Sequence, residues 1–205
     1  MPSQLVLKAQ AIEILGEEYN GYYATTYTLS EDLENDTALV VVQLSQVGKG
    51  HIMAVEGTGV GFIDALFNGI KHGLVGEYPS LGHIHFVDFV VSGNFKTLTG
   101  KGGAHSDVPG TVRLVIENNT GREFTFEDTS VSVSASSVAV VLMALEHFVN
   151  AEKAVLKVVT WIEDAKRRTR PELVDKYTQR LAELVQNASY SETIARVREG
   201  DNKRV

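Results

Sequence analysis

The chain has 205 residues, a formal net charge of −7 and no cysteine, and 43% of its residues are hydrophobic. This length fits one domain with an appendage, and the lack of cysteine excludes disulfide scaffolds, thiolate metal sites and cysteine nucleophiles. The negative charge argues against a nucleic-acid partner, and no apolar run reaches the roughly 18 residues of a membrane span. With no basic N-terminal segment to indicate a signal peptide, we expect a cytoplasmic protein without a membrane partner.

The first half of the chain predicts three strands and a helix. Segments rich in β-branched and aromatic residues, typical of strands, lie at 21–29, 37–45 and 51–56. Glycines at 57, 59 and 61 then interrupt the strand pattern. From Phe62 to about Leu74 the apolar residues recur at helical spacing. Asp64 therefore lies in the first turn of this helix, where a carboxylate favours the helix dipole and serves as a cap.

The second half repeats the order. Predicted strands lie at 81–92, 110–117 and 122–128. A long glycine-containing loop at 93–106 separates the first two of them, and the segment 129–137 fits either the end of a strand or the start of a helix. A helical stretch follows from about Val133 to His147, and its small and apolar face runs from Ala135 to Asn150.

Beyond residue 150 the pattern is helical only. Amphipathic helices are predicted at 151–166 and from Pro171 to about Asn187, and a short one at 191–198. The fold class is therefore α+β, with two pseudo-symmetric strand-strand-strand-helix modules and a C-terminal helical extension. We place the α+β domain at 1–150, with module one at about 20–76 and module two at about 80–150, and the extension at 151–205.

The glycines before the first predicted helix have two interpretations. Gly59-Val60-Gly61 at a strand-to-helix junction offers backbone N–H groups to an anion. Alternatively, the glycines serve a tight turn that needs positive φ. The segment lacks the third glycine of a dinucleotide-binding fingerprint and the Gly-Lys-Ser/Thr of a phosphate-binding loop.

No motif predicts catalytic residues, a metal site or a cofactor. His83-Ile84-His85 would share one face of a strand, but zinc needs three or four ligands. His105-Ser106-Asp107 cannot form a catalytic triad, because consecutive side chains diverge. The serines between 130 and 137 suit helix capping and close packing. We therefore do not expect an enzyme.

Three segments resemble the C-terminal regulatory domain of 2-isopropylmalate synthases and citramalate synthases. Residues 56–66 (EGTGVGFIDAL) resemble its Gly-x-Gly-Pro-Val-Asp-Ala segment, with Phe62 in place of proline. Residues 106–114 (SDVPGTVRL) resemble its Thr-Asp-Ala-x-Gly-x-Val-Arg-Val segment. Ala135-Ser136 resembles the end of its Ile-Glu-Ala-Ser motif, although Ser134 replaces the glutamate. The three segments occur in the same order as in the family and together cover about residues 20–150.

The resemblance implies two modules related by a pseudo-twofold axis, with leucine or isoleucine sensed in the seam between them, and a homodimer or larger assembly in branched-chain amino acid biosynthesis. Carried over position by position, it implies six effector-binding residues: Gly59, Gly61 and Asp64 in module one, and Asp107, Val108 and Gly110 in module two. A free amino acid needs N–H donors for its carboxylate, acceptors for its ammonium and a small apolar pocket.

The family's catalytic barrel is absent, because a chain of this length cannot contain it together with the two modules. The resemblance therefore implies a stand-alone allosteric domain that binds a branched-chain amino acid or similar small carboxylate, with a separate synthase subunit as a possible partner. The alternative is a structural or assembly module that has lost the ligand, which the changed Ser134 and the extended loop favour. A third possibility, an enzyme with its active site in the seam, lacks an acid–base pair.

Overall fold

A computed structural model describes residues 4–50, 52–93 and 109–185 of the chain. Four helices are present in this part: α1 (Gln4–Leu15), α2 (Phe62–Leu74), α3 (Val133–Arg167) and α4 (Pro171–Val185). Six strands are present: β1 (Tyr22–Asp32), β2 (Thr37–Gln46), β3 (Ile52–Gly59), β4 (His85–Gly93), β5 (Gly110–Glu117) and β6 (Glu123–Ser130). Short 3₁₀ turns lie at Gly16–Glu18 and Pro79–His83.

The strands form two antiparallel sheets of three, in the orders β1-β2-β3 and β4-β5-β6. The registers correspond: Ala38 at the start of β2 pairs with Gly59 at the end of β3, and Gly110 at the start of β5 pairs with Ser130 at the end of β6. Each sheet is followed directly by a helix. The predicted α+β class, with two strand-strand-strand-helix modules and C-terminal helices, is confirmed.

The central strand of each sheet contributes to the core, because its alternate residues face the helices. In β2 the alternate buried apolar residues are Ala38, Val40, Val42 and Leu44, and in β5 they are Val112, Leu114 and Ile116. Helix α2 packs on β2 and β3, and the first half of α3 packs on β5 and β6. The two modules share one continuous core, which also includes Phe124 and Phe148.

Helix α3 is 35 residues long and runs through residue 150 without a break. Its sequence has no glycine or proline between Val133 and Arg167, so nothing in it stops the helix. By length and composition, α3 is the one helix among the described residues that could cross a membrane. However, 61% of its most apolar window is buried within the protein. This burial is the pattern of a core helix in a soluble protein.

Helix α3 is continuous at residue 150, but its two halves pack into different hydrophobic clusters. A second buried cluster lies between α1, the C-terminal half of α3 and α4, and consists of Ala11, Ile14, Leu15, Ala154, Val155, Val158, Ile162 and Leu184. Trp161 packs against Tyr177 with ring centroids 5.4 Å apart. The predicted extension therefore has its own core, to which the unpredicted helix α1 contributes.

Several predicted boundaries differ from the structure. β1 continues to Asp32, beyond its predicted end at residue 29, and β3 continues to Gly59, beyond its predicted end at residue 56. The strand predicted from residue 81 begins at His85, because Pro79 starts a 3₁₀ turn that includes His83. His83 and His85 therefore do not share one strand. The predictions for the loop at 93–106, beyond its first residue, and for the helix at 191–198 lie outside the described residues.

Candidate functional site

Two of the predicted effector residues meet at the junction of β3 and α2. Asp64 Oδ2 accepts a hydrogen bond from the backbone N–H of Val60 at 3.1 Å, and Asp64 Oδ1 accepts one from Asn68 Nδ2 at 3.2 Å. The carboxylate thus closes the junction that precedes its own helix. The predicted capping role of Asp64 agrees with this geometry.

Gly59 serves close packing, and neither Gly59 nor Gly61 forms a turn with positive φ. A Cβ on Gly59 would lie within 3.0 Å of Asp64 Oδ2 and the backbone N of Ala65, so only glycine fits there. Gly61 has an extended φ of −168° and open space around it. Neither glycine has positive φ, so the interpretation as a left-handed turn is wrong. Only Gly61 lacks a packing reason to be glycine.

An open cleft of about 570 Å³ lies beside this junction. It is lined by Gly59, Val60 and Asp64 together with residues around the β1–β2 turn, which include Asp32 and Asp36. Hydrogen bonds from the side chain and backbone of Asn35 and the backbone of Glu34 lower the pKa of Asp32. The described residues hold no group of three or more His, Asp or Glu side chains able to bind a metal. Three carboxylates on one cleft favour a cationic group of a ligand.

Gly110, the described effector residue of the second module, does not line this cleft. Gly110 is buried at the start of β5, where an added Cβ would lie 3.1 Å from Val133 Cγ2. Asp107 and Val108 lie outside the described residues. Ser132 caps α3, because its Oγ accepts from Ala135 N–H at 3.2 Å. Ser136, inside the helix, donates from its Oγ to Asp128 Oδ2 at 2.6 Å.

The contact between α2 and α3, which is one part of the seam between the modules, is closed. Between α2 and α3, Phe67, Ile70, Leu81, Val141 and Leu145 surround a void of about 10 Å³. A void of this size holds one water molecule at most. An amino acid does not fit between these helices without their separation.

A separate cavity with a volume of about 260 Å³ lies between α1, α3, α4 and β6. Its walls are mostly apolar and include Leu7, Ala11, Phe126, Ala151 and Leu184. The cavity exists because α1 and α4 bridge the sheet of module two and the C-terminal half of α3. It joins residues from both ends of the chain.

The polar side chains that line this cavity are Lys8, Tyr19, Thr125, Glu127, Glu146, His147 and Asn150. Burial lowers the pKa of His147 to about 4, with a smaller contribution from Arg122, so its ring is neutral at neutral pH. Its Nε2 is buried and has no hydrogen-bond partner. Burial raises the pKa of Glu146. Burial, together with the charge of Glu146, raises the pKa of Tyr19 to about 12. Tyr19 therefore remains a neutral hydroxyl.

Sequence reasoning missed this cavity because it missed α1. Leu7, Ala11, Ile14 and Leu15 are buried and follow the helical spacing i, i+4, i+7, i+8. That stripe was a usable signal for the helix. Compared with known proteins, the chain matches no protein-family model, and no curated protein is significantly similar to it. A functional assignment therefore rests on its residues and its fold.

Proposed function

We propose that this chain is a non-catalytic regulatory-type domain, of the kind found at the C-terminus of 2-isopropylmalate and citramalate synthases. It binds leucine, isoleucine or a similar small carboxylate and forms a homodimer or larger assembly in the cytoplasm. The observation that carries the proposal is the repeat of a three-stranded antiparallel sheet followed by a helix. This is the architecture that the three resembling segments imply.

The effector-binding residues of this proposal remain Gly59, Gly61 and Asp64 of module one and Asp107, Val108 and Gly110 of module two. At the junction, the N–H groups of the first turn of α2 have no acceptor within the helix and suit a carboxylate. Asp64 lines the adjoining cleft and suits an ammonium group. A zwitterionic amino acid carries both groups on neighbouring atoms, so one ligand can satisfy both sides of the junction.

Isothermal titration with leucine, isoleucine, valine and citramalate tests the proposal. We expect heat from at least one of them at millimolar concentration or below. Asp64→Asn should weaken that binding, because it removes the charge while it keeps an oxygen for the Val60 N–H. Asp175→Asn, on exposed α4, is the matched control and should bind like the parent chain. The absence of heat with all four compounds would reject the sensing function.

The second candidate is an assembly module without a ligand. Two observations favour it: both Asp64 oxygens already accept internal hydrogen bonds, and the α2–α3 seam is closed. In that case the chain mediates dimerisation or binds a separate barrel-type synthase. Light scattering should give a multiple of the 22.4 kDa chain mass, and co-purification with such a synthase, without any amino-acid response, would favour this function over sensing.

A further inference from the structure

The cavity between α1, α3, α4 and β6 is separate from the proposed effector site. None of Gly59, Gly61, Asp64 or Gly110 lines it. Its volume of about 260 Å³ lies just below the usual range of roughly 300–1,000 Å³ for ligand pockets. This size limits an occupant to a small molecule. Binding in this cavity therefore does not depend on binding at the β3–α2 junction.

The cavity has a mostly apolar interior and a charged mouth. Lys8, Met143 and Glu146 line both the cavity and a groove that runs between β1 and α3. These three residues therefore mark the place where the cavity opens to the surface. Inside, Leu7, Ala11 and Phe126 supply apolar surface beside the polar groups of Tyr19 and Asn150.

The carboxylate of Glu146 is fixed by one hydrogen bond and has an oxygen available to a ligand. Its Oε1 accepts the backbone N–H of Tyr22 at 2.7 Å, which fixes the carboxylate. No hydrogen bond to its second oxygen is present among the described residues, and its charge is only partly offset by Lys8. A half-buried carboxylate with a free oxygen is a preorganised acceptor for a cation.

His147 gives the interior one further polar group. Its ring packs against Phe124, Phe126 and Phe148. The buried Nε2 has no partner, and an unpaired buried polar atom is costly unless a ligand or water satisfies it. The neutral ring adds no positive charge that would repel a cationic ligand.

We propose that this cavity binds a small apolar amine, with the ammonium group on Glu146 and the hydrocarbon body between Leu7 and Phe126. A carboxylic acid of the same shape is disfavoured, because it would place a second negative charge beside Glu146. A neutral alcohol fits the apolar walls but forms only an uncharged hydrogen bond. The cavity therefore selects by charge at its mouth and by size inside.

Three probes of nearly equal size separate these cases: 2-phenylethylamine, 2-phenylethanol and 3-phenylpropionate. Binding is followed by NMR on the full chain, with the His147 ring resonances as reporters of the cavity. We expect the amine to bind about tenfold more tightly than the alcohol, which is the difference between a charge-assisted and a neutral hydrogen bond. The acid should bind most weakly.

Two variants test the assignment of roles. Glu146→Gln keeps an oxygen for the Tyr22 N–H and removes the charge, so amine affinity should fall to that of the alcohol. Glu56→Gln, an exposed change on β3, should leave both affinities unchanged. Ala11→Leu should fill the cavity and abolish binding of both probes.

Each of four results would overturn the inference. They are equal binding of amine and alcohol, an amine preference that persists in Glu146→Gln, preferred binding of the acid, and no binding of any probe. These results are distinguishable from a failure of the proposed function. If titration of the Ala11→Leu variant with leucine still releases heat, that heat comes from binding at the β3–α2 junction. Amine binding without leucine heat leaves this inference intact.

Discussion

Asn20 and Asn150 are joined by two hydrogen bonds although 130 residues separate them in the chain. The backbone N–H of Asn20 donates to Asn150 Oδ1 at 2.7 Å, and Asn150 Nδ2 donates to the Asn20 carbonyl at 2.8 Å. Both residues are buried. The Asn20 side chain also donates to Tyr78 and accepts from Lys153. This network fixes the start of β1 to α3 at the residue where the two apolar cores meet.

Replacement of Asn150 by alanine should lower the free energy of unfolding by about 2 to 4 kcal/mol. The change leaves the N–H and carbonyl of Asn20 buried without these partners, and each unsatisfied group costs about 1 to 3 kcal/mol. Urea unfolding followed by circular dichroism measures the loss. Asn35→Ala, in the exposed β1–β2 turn, should stay within about 0.5 kcal/mol of the parent. Similar stability of the two variants would show that the buried pair is dispensable.

Gly57→Ala should destabilise the fold by about 3 kcal/mol or more, as overpacked core substitutions do. A Cβ at Gly57 would lie within 3.0 Å of the Ala65 carbonyl and the Gly69 nitrogen, and both are backbone atoms that cannot rotate away. Thermal unfolding measures the effect. Gly76→Ala, where nothing lies within 4 Å of the added atom, is the matched control. If Gly57→Ala unfolds at the temperature of the control, the contact of α2 with β3 is looser than this geometry requires.

Stability should fall as the pH drops from about 6.5 to about 4 because of His147. The unfolded chain protonates this residue near its usual pKa of 6.5, whereas burial lowers the folded pKa to about 4. The unfolded state therefore binds more protons in this window, and the full effect is about 3 kcal/mol.

The raised pKa of Glu146 has the opposite effect on the pH dependence of stability. As the pH falls, this carboxyl is protonated in the folded protein before it is protonated in the unfolded chain. The folded protein therefore loses stability as the pH rises through the folded pKa. Comparison with His147→Gln isolates the histidine. Unfolding free energies at pH 7, 5.5 and 4.5 should depend less steeply on pH in this variant. Parallel curves for the two proteins would mean that His147 does not titrate differently on folding.

Ala151→Pro should destabilise the whole protein by about 3 kcal/mol or more, because it removes a hydrogen bond and introduces a clash in the middle of α3. Val133→Pro places the same residue in the first turn of the same helix, where proline is tolerated. Limited proteolysis and urea unfolding compare the two variants. Normal unfolding of Ala151→Pro would instead make residue 150 a hinge between two independent units.

The parts of the fold that depend on local pattern were predictable. The bounds of α2 and β5 match those expected from helical spacing and β-branched residues, because both elements are bounded by glycines or turn residues. The strand predicted from residue 81 failed at its start, because alternation alone did not show that Pro79 begins a 3₁₀ turn. Helix α1 was missed although its buried stripe was readable.

The candidate sites were predictable only in part. The junction of Gly59 and Asp64 followed from their positions before and inside a helix. The sequence did not show why residue 59 must be glycine, because the constraint comes from the contact between β3 and α2 and not from the local backbone conformation. The cavity between α1 and α3 could not be inferred, since Leu7, Glu146 and Leu184 meet only in the folded chain.

The sequence by itself determined the α+β class and the repeat of three strands and a helix, because periodicity and turn residues act over a few neighbouring positions. Only the tertiary structure decided that the α2–α3 seam is closed, that a second core joins both ends of the chain, and that a cavity opens beside Glu146. These features depend on how side chains distant in sequence fill or fail to fill the space between packed elements.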